Sequence, residues 1–100
     1  RFAKIPKFPA IERDIAVVVD KNVEAGMILK TIMDNGGEFI ESAELFDVYE
    51  GDRIEAGKKS IAYALSFRSD AKTLTDDEIG GDMESILRAL KDKLGATLRD

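Results

Sequence analysis

The strongest pattern in the chain is an alternation of large apolar residues with small or polar ones between Glu41 and Arg68, which predicts two long β-strands joined by a polar loop. Successive strand residues point to opposite faces of a sheet, so each strand has one apolar face and one of a different kind. The apolar face belongs to the core. The other is either plain solvated surface or a shallow platform for a flat ligand. On the second strand the large apolar residues are Ile61, Tyr63, Leu65 and Phe67.

The first of the two strands is assigned by the same alternation. Phe46 and Val48 are predicted to face the core. Leu45, Asp47 and Tyr49 are then predicted on the opposite face, beside the small residues of the second strand. The pattern therefore places one aromatic ring and one carboxylate together on the polar face.

Two further elements precede this hairpin. Alternating β-branched residues over 13–20 predict a strand with a central position in the sheet. An amphipathic helix follows, with Asn22 predicted as its N-cap and Gly36 as a left-handed C-terminal stop. The apolar stripe of this helix is Ala25, Ile28, Leu29, Ile32 and Met33.

A second helix is predicted after the hairpin, chiefly by the residues at its ends. Thr75 with Glu78 three residues later is a capping box, and Gly95 ends the helix. Gly80 and Gly81 lie inside it and cost roughly 1 kcal/mol each against alanine, which predicts a loose first turn. The buried stripe is Ile79, Met83, Ile86, Leu87, Leu90 and Leu94.

These elements, with a short final strand over 96–99, give the order strand, helix, strand, strand, helix, strand. This is the order of the ferredoxin-like βαββαβ arrangement, an α+β fold with a four-stranded antiparallel sheet and two helices on one face. In the final strand Leu98 is predicted inward, and Thr97 and Arg99 on the open face. The predicted core is Ile15, Val17, Val19, Ile28, Leu29, Ile32, Phe46, Val48, Ile61, Tyr63, Leu65, Phe67, Ile86, Leu87 and Leu90. The predicted open face carries Asp14, Ala16, Val18, Leu45, Asp47, Tyr49, Ser60, Ala62, Ala64 and Arg68.

The first ten residues differ from the rest of the chain. Pro6 and Pro9 favour extended backbone over 1–10, which predicts a linker held across the fold, with a basic arm touching phosphate as the alternative. Residues 11–100 form the predicted domain. Because the chain begins with Arg1 rather than methionine, we expect it to be a piece of a longer polypeptide.

Composition removes several classes of function. The chain is 44% hydrophobic and 35% charged, as is usual for one soluble globular domain. The absence of cysteine and histidine excludes disulfides, thiolate chemistry, most zinc sites and the usual general base. No apolar run approaches the ~18 residues of a membrane span. A formal net charge of −5 argues against a free-standing nucleic-acid binder, though not against a module of a larger RNA-binding machine.

Two short runs resemble a phosphate-binding loop and a metal site, but neither has the spacing that such a site requires. The run over 57–60 resembles a phosphate-binding loop, but Lys59 separates Lys58 from Ser60 and a strand follows instead of a helix. The acidic run over 76–78 is the usual complement of a helix N-terminus and lacks calcium-loop spacing, so no metal site is predicted. No nucleophile has a base beside it. The chain is therefore not expected to be catalytic by itself.

RNA binding on the open face remains a specific hypothesis. The RNA-recognition motif stacks bases on sheet aromatics, but this face has Ala62 and Ala64 at such positions. It offers one aromatic ring, Tyr49, beside the carboxylate of Asp47 and the hydroxyl of Ser60. A carboxylate repels phosphate but matches the N–H donors of a guanine edge. Plain surface residues are the alternative interpretation. The predicted phosphate contacts, with solvated loop charges as their alternative, are Arg53, Lys58, Lys59 and Arg68.

Six stretches carry a resemblance to a known family, namely residues 8–11, 13–20, 44–49, 57–60, 67–68 and 73–76. Together they resemble the ferredoxin-fold anticodon-binding domain at the C-terminus of the bacterial phenylalanyl-tRNA synthetase beta subunit. The resemblance covers nearly the whole chain, in the order and spacing of the family, apart from the glycines at 80 and 81. In this family the positions matching Asp47, Tyr49 and Ser60 contact the first anticodon base, a guanine.

The resemblance implies a module that grips the anticodon of phenylalanine tRNA in a cytoplasmic enzyme, while catalysis happens elsewhere. The parent enzyme would be an alpha2–beta2 assembly, with an alpha subunit as partner and with ATP and magnesium as cofactors. The domain itself would need no cofactor and no membrane.

Two other classes of function stay open. One is an amino-acid-sensing regulatory domain of the same βαββαβ order, although the turn over 20–23 lacks the glycine expected there. The other is a docking module of a multidomain protein, which would leave Asp47 and Tyr49 without a role.

Overall fold

The computed structural model describes residues 8–99 and confirms the predicted order of elements. The sheet order is β2-β3-β1-β4 with antiparallel neighbours, and the chain has the ferredoxin-like α+β fold. Residues 8–10 precede the first strand outside regular secondary structure, and the rest of the predicted linker lies outside the described residues. The elements are β1 (Ile11–Asp20), α1 (Ala25–Asn35), β2 (Ile40–Tyr49), β3 (Lys58–Phe67), α2 (Asp76–Leu94) and β4 (Thr97–Leu98).

The core lies between the two helices and one face of the sheet. Tyr63 shows how a polar group enters it: its hydroxyl donates a hydrogen bond of 2.7 Å to the Ala25 carbonyl, and burial raises the pKa of the phenol. Leu87 is partly buried and packs against this core. The predicted core residues confirmed as buried are Ile15, Val17, Val19, Ile28, Ile32, Ile61, Tyr63, Leu65, Phe67, Ile86 and Leu90.

Strand β2 departs from the predicted alternation. The register against β3 shifts between Leu45 and Asp47, and Phe46 is left without a cross-strand partner in a β-bulge. Leu45 consequently lies opposite the core residue Tyr63, so its predicted place on the open face was wrong. Phe46, at 57% exposure, was wrongly predicted as core.

Val48 was also wrongly predicted as buried, for a different reason. It lies opposite Ile61 and therefore faces the helix side, as the alternation predicts. However, β2 is an edge strand, and Val48 remains 51% exposed at the edge of the sheet. The alternation of apolar and polar residues predicts the face of the sheet on which a side chain lies. It does not predict whether a helix covers that part of the face.

Helix α1 begins later than predicted and ends at Asn35, before Gly36, as predicted, but Gly36 is not left-handed. Asn22 is not its N-cap, because residues 20–23 form a turn in which the Val23 N–H donates to the Asp20 carbonyl. Glu24 occupies the N-cap position instead, without a side-chain hydrogen bond to the helix. Gly36 has φ −85°, and the left-handed residue is Gly37 at φ 78°. The buried stripe is narrower than predicted, since Leu29 is 38% exposed and lies outside the core.

Helix α2 matches its predicted ends. Thr75 donates its backbone N–H to the Glu78 carboxylate at 2.9 Å, as a capping box requires, and Gly95 is left-handed at φ 67°. The helix runs without a break through Gly80 and Gly81, so the loose first turn is not seen. Strand β4 is shorter than predicted, and Leu98, on the helix side opposite Val17, is 55% exposed.

Leu65 and Val48 were both predicted in the core, but only Leu65 is buried, so truncating each of them tests this difference. Leu65→Ala is expected to lower the free energy of unfolding by about 2–5 kcal/mol, because it empties a site only 1% exposed. Val48→Ala is expected to lower it by less than about 1 kcal/mol, because the side chain is half in solvent. Urea unfolding of both variants measures the difference, and equal losses would contradict the assignment of the core.

Gly81 offers a stabilising substitution. A Cβ at this position meets nothing within 4 Å, so Gly81→Ala is expected to raise the free energy of unfolding by about 0.5–1 kcal/mol through reduced freedom of the unfolded chain. Gly57→Ala is the control, and is expected to lose about 1–2 kcal/mol because its φ of 84° suits glycine, while a Cβ there also meets nothing within 4 Å. Thermal unfolding measures both, and a destabilised Gly81→Ala variant would show that the first turn of α2 is not regular in solution.

Candidate nucleic-acid interface

The register of the sheet brings the three predicted site residues together on the open face. Residues directly opposite each other on paired strands share a face. Tyr49 lies opposite Ser60, and Asp47 lies opposite Ala62 one row away. Strand β1 continues these rows, with Val18 opposite Ser60 and Ala16 opposite Ala62.

A fourth residue, Arg99, completes this group and was missed as a site residue in the sequence. Its backbone N–H donates to the Ala16 carbonyl at 2.9 Å, which sets it in the row of Asp47. Its guanidinium donates to the Ser60 hydroxyl at 3.3 Å and lies over the Tyr49 ring, 4.9 Å from the ring centroid. The alternation placed Arg99 on this face, but only the sheet order shows that its side chain crosses β1 to reach β3 and β2.

The members of this group differ in their exposure. Asp47 is exposed and Tyr49 is partly buried, whereas Ser60 is only 3% exposed. Gly51 makes room for the Tyr49 ring, because a Cβ there would lie 2.5 Å from the phenol oxygen. The carboxylate therefore faces solvent directly, while the serine hydroxyl is occupied by a neighbouring side chain.

The floor around this group is flat and partly acidic. Alanines at 16, 62 and 64 provide short side chains across the centre of the sheet. Asp14 and Glu44 lie on either side of Ala64, on the two neighbouring strands. Glu44 was not predicted on this face, because the bulge at Phe46 reverses the alternation upstream of it. The short side chains at its centre leave room for a flat group to lie on the sheet.

The four predicted phosphate contacts do not form one cluster. Arg53 is exposed in the loop between β2 and β3. Lys58 forms a 2.9 Å ion pair with Asp20, whose hydrogen bond and charge raise the pKa of the lysine. Lys59 lies opposite Val19, on the helix side of the sheet. These three belong to the end of the sheet at which Ser60 lies.

Arg68 lies at the opposite end of β3, about 30 Å away for a strand of this length. Its guanidinium is paired with Glu41 at 3.2 Å and donates to the Phe8 carbonyl at 2.9 Å. The structure thus gives Arg68 a role in tying residue 8 to the sheet, and its contact with phosphate stays a prediction.

Two further properties bear on the class of site. Within residues 8–99, no group of three or more acidic side chains is placed to hold a metal ion. Neither helix in this range is long and apolar enough to cross a membrane.

The order of elements and the antiparallel four-stranded sheet define the class of ferredoxin-like α+β folds. The family model of the ferredoxin-fold anticodon binding domain matches residues 6–99, and the chain belongs to that family.

Comparison with individual proteins narrows the similarity from this family to one kind of protein, the phenylalanine–tRNA ligase beta subunits. The chain is 49% identical over 98 residues to the phenylalanine–tRNA ligase beta subunit of Halalkalibacterium halodurans, covering 98% of this chain and 12% of that protein. The beta subunits of Geobacillus kaustophilus and Vibrio vulnificus are 46% and 49% identical over 99 and 96 residues, again 12% of each relative, covering 99% and 96% of this chain. The chain thus spans about an eighth of the length of the relatives it matches.

Proposed function

We propose that this chain is the anticodon-binding module of a phenylalanine–tRNA ligase beta subunit, and that it reads the first anticodon base with Asp47, Tyr49 and Ser60. The supporting observation is that these three residues occupy neighbouring positions in two rows of the open face, in a member of the anticodon-binding family. Catalysis, with ATP and magnesium, belongs to the rest of a cytoplasmic alpha2–beta2 enzyme.

The chemistry of Asp47 favours guanine over the other bases. The Watson–Crick edge of guanine presents N1–H and N2–H donors side by side, next to the O6 acceptor. An ionised carboxylate is an acceptor only and can take both donors, whereas adenine presents an acceptor at N1. Asp47 is exposed, so it can reach a base that lies on the sheet.

Tyr49 and Ser60 supply the remaining contacts. A base stacked on the Tyr49 ring would gain ~1–3 kcal/mol irrespective of its identity. The Ser60 hydroxyl, opposite Tyr49 in the sheet, can donate to an acceptor such as O6. Stacking thus provides affinity and the two polar groups provide discrimination.

The first prediction from this proposal concerns affinity. The chain by itself is expected to bind tRNA weakly and to lose binding as salt rises, because its net charge of −5 opposes a polyanion and its predicted phosphate contacts are few. Titrations of labelled tRNA at several salt concentrations measure this. Tight binding that does not change with salt would contradict the proposal.

The decisive prediction concerns Asp47→Asn, which replaces part of the acceptor with a donor that faces guanine's own donors. We expect a loss of ~1–3 kcal/mol, about tenfold to a hundredfold in tRNA binding and aminoacylation. Glu44→Gln is the matched control, since it removes the same charge from the same face of β2 and should leave both unchanged. Formation of the aminoacyl-adenylate, which needs no anticodon, should be unaffected in both variants.

The measurement is aminoacylation by the complete ligase, with native tRNA and with tRNA whose first anticodon base is changed. The Asp47→Asn penalty should fall on the native tRNA and largely disappear on the changed one. Tyr49→Ala should cost a similar amount without adding fully to Asp47→Asn, because both act on one base. Equal loss on both tRNAs would show that Asp47 does not read this base.

A further inference from the structure

Arg99 occupies the surface that the proposed function assigns to the base. Its guanidinium lies 4.9 Å from the centre of the Tyr49 ring and donates to the Ser60 hydroxyl at 3.3 Å. A single side chain therefore contacts both the stacking surface and the buried hydrogen-bonding group. Ser60 is 3% exposed in this arrangement.

A base and the guanidinium cannot hold these positions together. A base stacked on the face of Tyr49 that the guanidinium now covers would overlap it, because both groups would lie over the same ring. The Ser60 hydroxyl can accept from Arg99 and still donate to a base. At 3% exposure, however, it is covered in this arrangement, and a base can reach it only when its cover moves. Use of Tyr49 and Ser60 by one base thus requires the guanidinium to leave.

The contacts that hold Arg99 permit such a movement. The backbone is anchored by the bond from its N–H to the Ala16 carbonyl, so only the side chain needs to turn. The ion pairs found among residues 8–99 involve other cations, and the contacts seen for the guanidinium in this range are the Tyr49 ring and the neutral Ser60 hydroxyl. Contacts of this kind at partly exposed sites are weak.

We propose that Arg99 is an intramolecular occupant of the base-binding position, which fills it in the free protein and vacates it when a base enters. This inference rests on the proposed function. Because every base would have to displace the same side chain, the occupant lowers the affinity for all bases by one factor and does not alter the choice between them.

The first experiment follows the Arg99 side chain by NMR during titration with an anticodon stem-loop RNA. In the free chain the Arg99 Hε and Hδ signals should be shifted upfield by the ring current of Tyr49, and Tyr49→Leu should abolish this shift. RNA should move them towards their random-coil positions while the backbone amide signals of Asp47 and Tyr49 also change.

The outcomes of this titration separate the two proposals. If the amides of Asp47 and Tyr49 respond to RNA and Arg99 keeps its upfield shift, the displacement is wrong and the proposed function stands. If those amides do not respond to saturating RNA, the proposed function itself fails. An unshifted Arg99 signal in the free chain also overturns the inference.

The second experiment removes the occupant. Arg99→Ala should bind guanosine about fivefold more tightly than the native chain, as the loss of a weak cation–π contact and one hydrogen bond implies. The uncharged nucleoside avoids the attraction of the arginine for phosphate. The ratio of guanosine to adenosine affinity should not change.

Arg88→Ala is the matched control, because it removes the same charge from an exposed position on α2 and should leave guanosine affinity as it was. If Arg99→Ala binds guanosine no better than the native chain, or more weakly, the guanidinium is a ligand of the base or a bystander, and the inference is wrong. A changed guanosine-to-adenosine ratio contradicts it as well.

Discussion

The pairing of β3 with both of its neighbours is the interaction on which the rest of the structure depends. One face of β3 supplies Ile61, Tyr63, Leu65 and Phe67 to the core, each at most 1% exposed. Because side chains alternate strictly along a strand, burial of this face fixes its other face as the centre of the open surface. Any slip of β3 by one residue would exchange the two faces and remove Ser60 from the group around Tyr49.

The bulge at Phe46 lets strand β2 place an apolar side chain on the helix side and polar side chains on the open face. Upstream of it, Leu45 lies on the helix side, and downstream of it Asp47 and Tyr49 lie on the open face. Because the extra residue shifts the alternation of side chains along β2, Asp47 and Tyr49 lie on the same face as Ser60 while Leu45 keeps its place on the helix side. Bulges at sheet edges often re-aim side chains in this way near functional sites.

Much of this structure could be predicted from the sequence because its signals are local. Strict alternation identified β1 and β3, and the capping box and Gly95 set the ends of α2. The errors have physical causes that no local pattern contains. The bulge reversed the assignment of Leu45, the edge position exposed Val48, and a turn over 20–23 displaced the start of α1. Arg99 was missed as a site residue because its contacts cross two strands that are far apart in the sequence.

The two tyrosines of this molecule differ in their exposure to solvent, and that difference gives the open face an optical signal of its own. Tyr63 is buried with its hydroxyl bonded to a helix carbonyl, while Tyr49 lies partly in solvent beside a cation. The chain contains no tryptophan to mask them. Ultraviolet emission from the folded chain therefore divides into a shielded component from the core and a quenchable component from the surface. Events at the open face can be followed in the unlabelled protein through the second component alone.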